Sequence, residues 1–270
     1  MGLFALSDLH VDHPANWEAL EALPARPQDD LILAGDIAEH LPTFERAIDE
    51  AATKFRTVYW VPGNHELWTV PKREPALRGA ERYKRLVEIC RARGVRTPED
   101  PYDRVGAASL RICPLFVLYD YSFSPDGMNP EEARAWAKEQ GIVCTDEHLL
   151  HPDPYPSREA WCRARIEATE RRLDELGAAE KTILINHFPL HRQTLTIPLV
   201  PRFSPWCGTR KTEDWHLRFR AHVVVTGHLH VPMTHWVDGI RFEEVSVGYP
   251  RDWDPSKGLA SRLRQILPEP

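Results

Sequence analysis

Leu3-Phe4-Ala5-Leu6-Ser7-Asp8-Leu9-His10 and Leu31-Ile32-Leu33-Ala34-Gly35-Asp36 share one pattern. An unbroken apolar run gives way to small, acidic or imidazole-bearing residues. Such a run is too short for an independent helix and suits a strand covered on both faces. Similar runs stand at 58–61, 110–118, Thr182–Ile185 and 223–225. Between them the spacing predicts helices over 41–55, 76–93 (with Gly94 as a stop), 131–139 and 157–176. Ser157 is placed to cap the last of these and Gly177 to end it. Strands alternating with helices predict an α/β fold.

Further along, 233–237 and 240–247 flank Asp238-Gly239, a strong hairpin signal, so the sheet is expected to be mixed. Residues 1–250 read as a single domain. Residues 251–270 contain Pro255, Gly258, Pro268 and Pro270, show no sheet-like run, and read as a C-terminal tail with one or two helical turns near 262–267. Two long segments read as lids: 121–156, which holds five prolines, and 195–216, rich in Pro, Trp, Arg and Lys.

The composition is that of an ordinary globular protein, 42% hydrophobic and 27% charged. Lys plus Arg total 34 against 40 Asp plus Glu, a net charge of −6. That argues against a broad nucleic-acid footprint. No apolar stretch nears the ~20 residues that cross a bilayer, so no membrane insertion is expected. The start of the chain lacks the basic region of a secretory signal. Cys90, Cys113, Cys144, Cys162 and Cys207 form no CxxC pair and read as reduced, buried thiols of a cytoplasmic protein.

The chemistry lies where the apolar runs end. The successive exits carry Asp8 and His10, then Asp36, then Asn64, His65 and Glu66, then Asn186 and His187, then His228 and His230. In open α/β sheets, ligands bind at the carboxyl ends of strands. The chain has only four asparagines, and two of them directly precede a histidine at such an exit. Asp8/His10 and His228/His230 are i, i+2 pairs, which extended backbone would point to one side. Carboxylate, imidazole and amide oxygen without thiolate form a donor set for Mn, Fe or Zn. Asp8, His10, Asp36, Asn64, His187, His228 and His230 are too many ligands for one ion. They suit two ions sharing a carboxylate, with Asp36 the natural bridge.

The ordered series Asp8-x-His10, Gly35-Asp36, Gly63-Asn64-His65-Glu66, Asn186-His187 and Gly227-His228-x-His230 resembles the calcineurin-like metallophosphoesterases. The resemblance spans roughly residues 3–247. It implies a four-layer α/β/β/α sandwich of two mixed sheets flanked by helices, with a dinuclear metal centre. It further implies Asp8, His10, Asp36 and His230 on one ion, and Asp36, Asn64, His187 and His228 on the other. His65 would be a free imidazole beside the leaving group. Many members carry Asp where this chain has Glu66, a position that is not a ligand in the resemblance.

The expected function is hydrolysis of a small-molecule phosphate mono- or diester, nucleotide-like or other. A hydroxide bridging two divalent ions (Mn2+, Fe2+/Fe3+ or Zn2+) would attack phosphorus. Asp36 and His65 would be catalytic, with His65 as imidazolium protonating the leaving alkoxide. The alternatives are a nuclease on the same site, or a non-enzymatic scaffold that binds through the fold. Candidate substrate contacts are Asn64, His191, Arg192, Arg202 and Arg210, since arginine matches phosphate geometry. Lys211, Trp206 and Trp215 belong to the same lid. His148 and His151, with Tyr119, Asp120 and Tyr121, form a further candidate group. Glu66 reads as a solvated or supporting acid, and Trp17, Trp60 and Trp68 as packing residues.

Overall fold

The computed structural model describes residues 2–70 and 77–269. The strands are β1 (Leu3–Leu6), β2 (Arg26–Leu33), β3 (Phe55–Trp60), β4 (Arg104–Val105), β5 (Leu110–Pro114), β6 (Thr182–Ile185), β7 (Ala221–Thr226), β8 (Met233–Val237), β9 (Ile240–Glu244) and β10 (Arg264–Leu267). The helices are α1 (Pro14–Glu21), α2 (Leu41–Lys54), α3 (Asn64–Leu67), α4 (Gly79–Arg91), α5 (Pro130–Lys138), α6 (Asp146–Leu149), α7 (Arg158–Asp174) and α8 (Trp215–Arg218).

The strands form two mixed sheets. The first runs β10-β1-β2-β3 and the second β4-β5-β6-β7-β9-β8. Alternation along each strand explains why the apolar runs are unbroken. Leu3, Ala5, Ile32, Ala34, Ile183, Ile185, Val223 and Val225 meet in one core between the sheets. Their neighbours Leu6, Leu31, Leu33, Leu184 and Val224 face outward into a second core that the helices cover. Helix α2 packs on β2 and β3 through Phe44, Ala47, Ile48 and Ala51, a helical stripe. Each fully buried Leu, Ile or Phe in these layers contributes about 1.5–3 kcal/mol.

Local signals set several boundaries. The Ser157 hydroxyl accepts the Ala160 N–H at 3.2 Å and starts α7. Asp238 (φ 50°) and Gly239 (φ 76°) are both left-handed, the turn that joins β8 to β9. The helix expected over 76–93 is described from Gly79 to Arg91, and Ala76 lies outside the described residues.

Two expectations need correction. The run 110–118 is a strand only as far as Pro114. Beyond it the Asn186 side chain replaces a neighbouring strand, bonding both the N–H and the carbonyl of Val117 at 3.0 and 3.1 Å. The tail is the second. Instead of helical turns, Arg264–Leu267 forms β10, which pairs antiparallel with β1 at the edge of the first sheet. Ile266 is buried between the sheets. A short edge strand with one fully buried side chain leaves almost no periodic signal, and its partner sits at the other end of the chain.

Candidate metal centre

The exits of β1, β2, β6 and β7 open at one end of the sandwich, joined there by α3 after β3. Two backbone bonds zip the sheets together at this point: Ser7 N–H to the Val245 carbonyl at 3.1 Å, and Val247 N–H to the Ser7 carbonyl at 2.8 Å. Asp8, His10, Asp36, His228 and His230 all have left-handed backbone, with φ of 55°, 43°, 53°, 76° and 56°. Each such non-glycine residue costs about 1–3 kcal/mol. The i, i+2 pairs therefore converge through sharp local turns and not through extended backbone. The turns are braced by Asp8 N–H to Gly35 carbonyl (2.9 Å) and His10 N–H to Asp36 carbonyl (3.0 Å). Close approach demands glycine at two places: a Cβ on Gly63 would run into Asp36, and one on Gly227 into Ser7 and Asp8.

All seven sequence-derived ligand candidates meet here. Asp8, His10 and His230 bring one donor atom each within 4.8 Å of one another, and so do Asp36, His187 and His228. His10, Asp36 and His65 form a third such set. His230 Nε2 lies 3.1 Å from Asp8 Oδ1 and 3.1 Å from His10 Nε2. Nδ1 of His187 donates to the Ala34 carbonyl at 2.8 Å. Its Nε2 then faces two oxygens, Asn64 Oδ1 at 3.2 Å and Asp36 Oδ2 at 3.4 Å. The Asn64 amide is oriented by its Nδ2, which donates to Asp146 at 3.0 Å.

Two buried carboxylates sit among five imidazoles, and each shifts the others. Burial pushes the Asp36 carboxyl up, but the charges of His187 and His65 outweigh it and hold it far below the usual range. Burial lowers His187, yet Asp36 wins and raises it to about 10. His228 is lowered to about 3 by burial and by the charge of His187. His10 is also lowered to about 3, by burial and by His65. Both are therefore neutral imidazoles with a lone pair to give. His228 Nε2 is buried without a hydrogen-bond partner, and a metal ion would satisfy it. Nitrogen and oxygen donors, two anionic, around an unpartnered imidazole nitrogen fit divalent ions.

The supporting contacts are mostly ones that sequence reasoning missed. Ser246 donates to Asp8 Oδ2 at 2.7 Å. Asp252 accepts from His230 Nδ1 at 3.1 Å, and Tyr249 stacks on His10 with ring centroids 4.3 Å apart. Glu39 accepts from His65 Nδ1 at 3.1 Å. Asp146 lies within a segment read as a lid, and Asp252 within the stretch read as a tail; neither carries a local signal. Glu66 is supporting and fully buried, not solvated. It accepts from the N–H groups of Asp36, Ile37 and Gly63 at 3.0, 2.7 and 3.0 Å. His65 lies over Trp68, ring centroids 3.7 Å apart, with Nε2 3.8 Å from Asp36 Oδ2.

The family description "Calcineurin-like phosphoesterase" matches residues 1–232. The chain belongs to the calcineurin-like phosphoesterase family. It is 50% identical, over 99% of its length and 84% of the relative's, to the [acyl-carrier-protein] phosphodiesterase PptH of Mycobacterium tuberculosis. The crystal structure of phosphopantetheinyl hydrolase (PptH) from that organism superposes with a TM-score of 0.92 at 49% identity, covering 100% of this chain and 96% of that one. This calcineurin-like chain is accordingly a phosphoric ester hydrolase, of a family that works through a dinuclear divalent metal centre.

The remaining expected substrate contacts do not line this cleft. Arg202 donates to the Trp136 carbonyl at 2.5 Å and to Glu139 at 2.7 Å. Arg210 donates to the Ser122 and Ser124 carbonyls at 2.5 and 3.0 Å and pairs with Asp126. Arg192 pairs with Glu213 at 3.2 Å. Buried His191 accepts the Gln193 N–H at 3.1 Å. Arg202 and Arg210 tie the two long segments to each other, and the arginine that lines the cleft is Arg251, together with Tyr249. His148, His151, Tyr119 and Tyr121 are likewise not among the lining residues. The five cysteines are free and buried, and no helix of the described residues is long and apolar enough to cross a membrane.

Proposed function

We propose that this chain hydrolyses the phosphodiester that joins a phosphopantetheinyl group to an acyl carrier protein. The products would be unmodified carrier protein and free phosphopantetheine. The observation that carries the substrate class is the 50% identity to an [acyl-carrier-protein] phosphodiesterase along 99% of this chain. The ester would then be a small cofactor arm on one side of phosphorus and a protein side chain on the other.

Asp8, His10 and His230 would hold one ion, Asn64, His187 and His228 the other, and Asp36 would serve both. The donor set suits Mn2+, Fe2+/Fe3+ or Zn2+. When bound, two such ions supply Lewis acidity and a nucleophilic water near neutral pH. His65 holds a proton at Nε2 for the carrier-protein oxygen as the bond from phosphorus to it breaks. Burial lowers His65, but Asp36 and Glu39 outweigh it and raise it above its ordinary value, so it enters as imidazolium. Glu39 orients the ring from the far nitrogen. Trp68 packs against it, and through Asp146 the segment 121–156 steadies Asn64. A cytoplasmic location goes with this reading, since five unpaired thiols suit a reducing compartment.

The test incubates metal-loaded protein with phosphopantetheinylated carrier protein and weighs the carrier by mass spectrometry. Loss of the whole phosphopantetheinyl group is expected. A carrier left phosphorylated, or left intact while generic aryl diesters are cleaved, defeats the proposal. His65→Ala should keep its metal and lose about 10²–10⁴-fold in turnover of this poor leaving group; full activity would remove the acid role.

A further inference from the structure

The cleft over the centre is two-natured. It encloses about 350 Å³, and the cluster residues Asp36, Asn64, His65, His228 and His230 line it together with Tyr249 and Arg251. The rest of its lining is apolar: Ile197, Val200, Phe203 and Leu229. Transfer of a phosphoryl group gives such a wall nothing to do, because phosphorus and its oxygens need charge and hydrogen bonds. The wall must face an organic arm of the ester.

The wall also leads somewhere. Ile197 lines a second hollow of about 370 Å³, together with Leu195, Thr196, Pro198, Pro201 and Ser204. Ile197 is common to both linings. Val200 is 42% exposed, and Pro198 and Pro201 of the second hollow are exposed as well, so the apolar track opens to solvent. Its backing is a satellite core of Phe123, Cys207 and Leu229, against which Leu195, Ile197 and Phe203 pack. Phe203 also lies against His228, ring centroids 5.8 Å apart, which places the start of the track at the metal cluster.

We infer that this track, from Phe203 and Val200 past Ile197 to Ser204, receives the pantetheinyl arm of the substrate and so sets which diesters are cleaved. This rests on the proposed carrier-protein reading. The arm is an aliphatic chain interrupted by two amides and ending in a thiol. Its methylene and methyl groups match Ile197, Val200 and Phe203, and Thr196 and Ser204 offer hydroxyls for the amides. The open far end leaves the thiol free in solvent. The carrier protein then lies on the other side of phosphorus, toward His65, where its oxygen is protonated on leaving.

Three substrates separate the parts of this claim: phosphopantetheinylated carrier protein, the methyl ester of 4′-phosphopantetheine, and bis(4-nitrophenyl) phosphate, which lacks the arm. The readout is kcat/KM on the methyl ester divided by that on the aryl diester. The double variant Ile197→Ser/Val200→Ser should lower this ratio about tenfold or more, mainly through KM, as loss of apolar pocket contacts does. Val200→Thr, nearly isosteric at a half-open position, should lower it less and guards against a folding defect, which a melting curve also checks. A ratio unmoved in both variants, while wild type still strips the carrier protein, overturns the track and spares the carrier-protein reading. Wild-type protein that cleaves the aryl diester but neither arm-bearing substrate overturns that reading, and the track with it.

Discussion

The two sheets meet at one end with unlike chemistry. From the first come the anionic ligand candidates, Asp8 and Asp36, along with His10, Asn64 and His65. From the second come imidazoles only: His187, His228 and His230. Left alone, the first sheet would bury two carboxylates with one histidine among the ligand candidates, and the second would present three imidazoles with only Asp252, beside His230, as counter-charge. Packed together, each answers the other: burial raises the Asp8 carboxyl, but His230 and the charge of His187 bring it below its ordinary value. The centre is thus a property of the seam, and the bonds from Ser7 to Val245 and Val247 hold that seam closed.

Asp36→Asn is the severest challenge to a shared seam. If one carboxylate serves both clusters, elemental analysis should find both ions lost and turnover down by roughly 10³-fold or more, on the scale of removing the main electrostatic stabiliser. Retention of two ions would mean that the sheets hold their metals separately. Asp252→Asn probes one side only, because Asp252 supports His230 from beyond the last strand of the family match. Metal affinity should weaken about 10–100-fold at the Asp8–His10–His230 site, with the other site spared. Calorimetric titration that finds both sites, or neither, weakened would refute the division.

Glu39→Gln gives the smallest expected effect, confined to the first sheet. As the proposed acid, His65 would need its protonated form, so that contribution would be present below its pKa and lost as pH rises through it. The Glu39 carboxylate helps raise that pKa. Without it the alkaline limb of kcat on the carrier-protein ester should move to lower pH, with metal content unchanged. A limb that stays in place would show that another group sets it.

Much of this was legible in the order of residues. Strands buried on both faces cannot alternate, so Leu3–Leu6 and Thr182–Ile185 announce themselves as unbroken apolar runs. The residues just after them are fixed in position by the strand they leave, which is why all seven ligand candidates could be named. The arginines are engaged elsewhere. Arg202 and Arg210 carry the charge a phosphate would want, but that charge serves carbonyls and acids of the neighbouring segment. Asp146 and Asp252 were invisible because a supporting acid has no spacing rule; it has only to arrive.

The order of residues thus determined the α/β class, the strand exits and the kinds of ligand, because each depends on contacts between near neighbours. Only packing decided that Asp8 meets His230, that Asp252 stands behind it, that Arg264–Leu267 returns to pair with β1, and that an apolar wall faces the metal cluster. Those contacts join residues far apart in the chain, and the free energy that selects them comes from burying two sheets against each other, which no local pattern encodes.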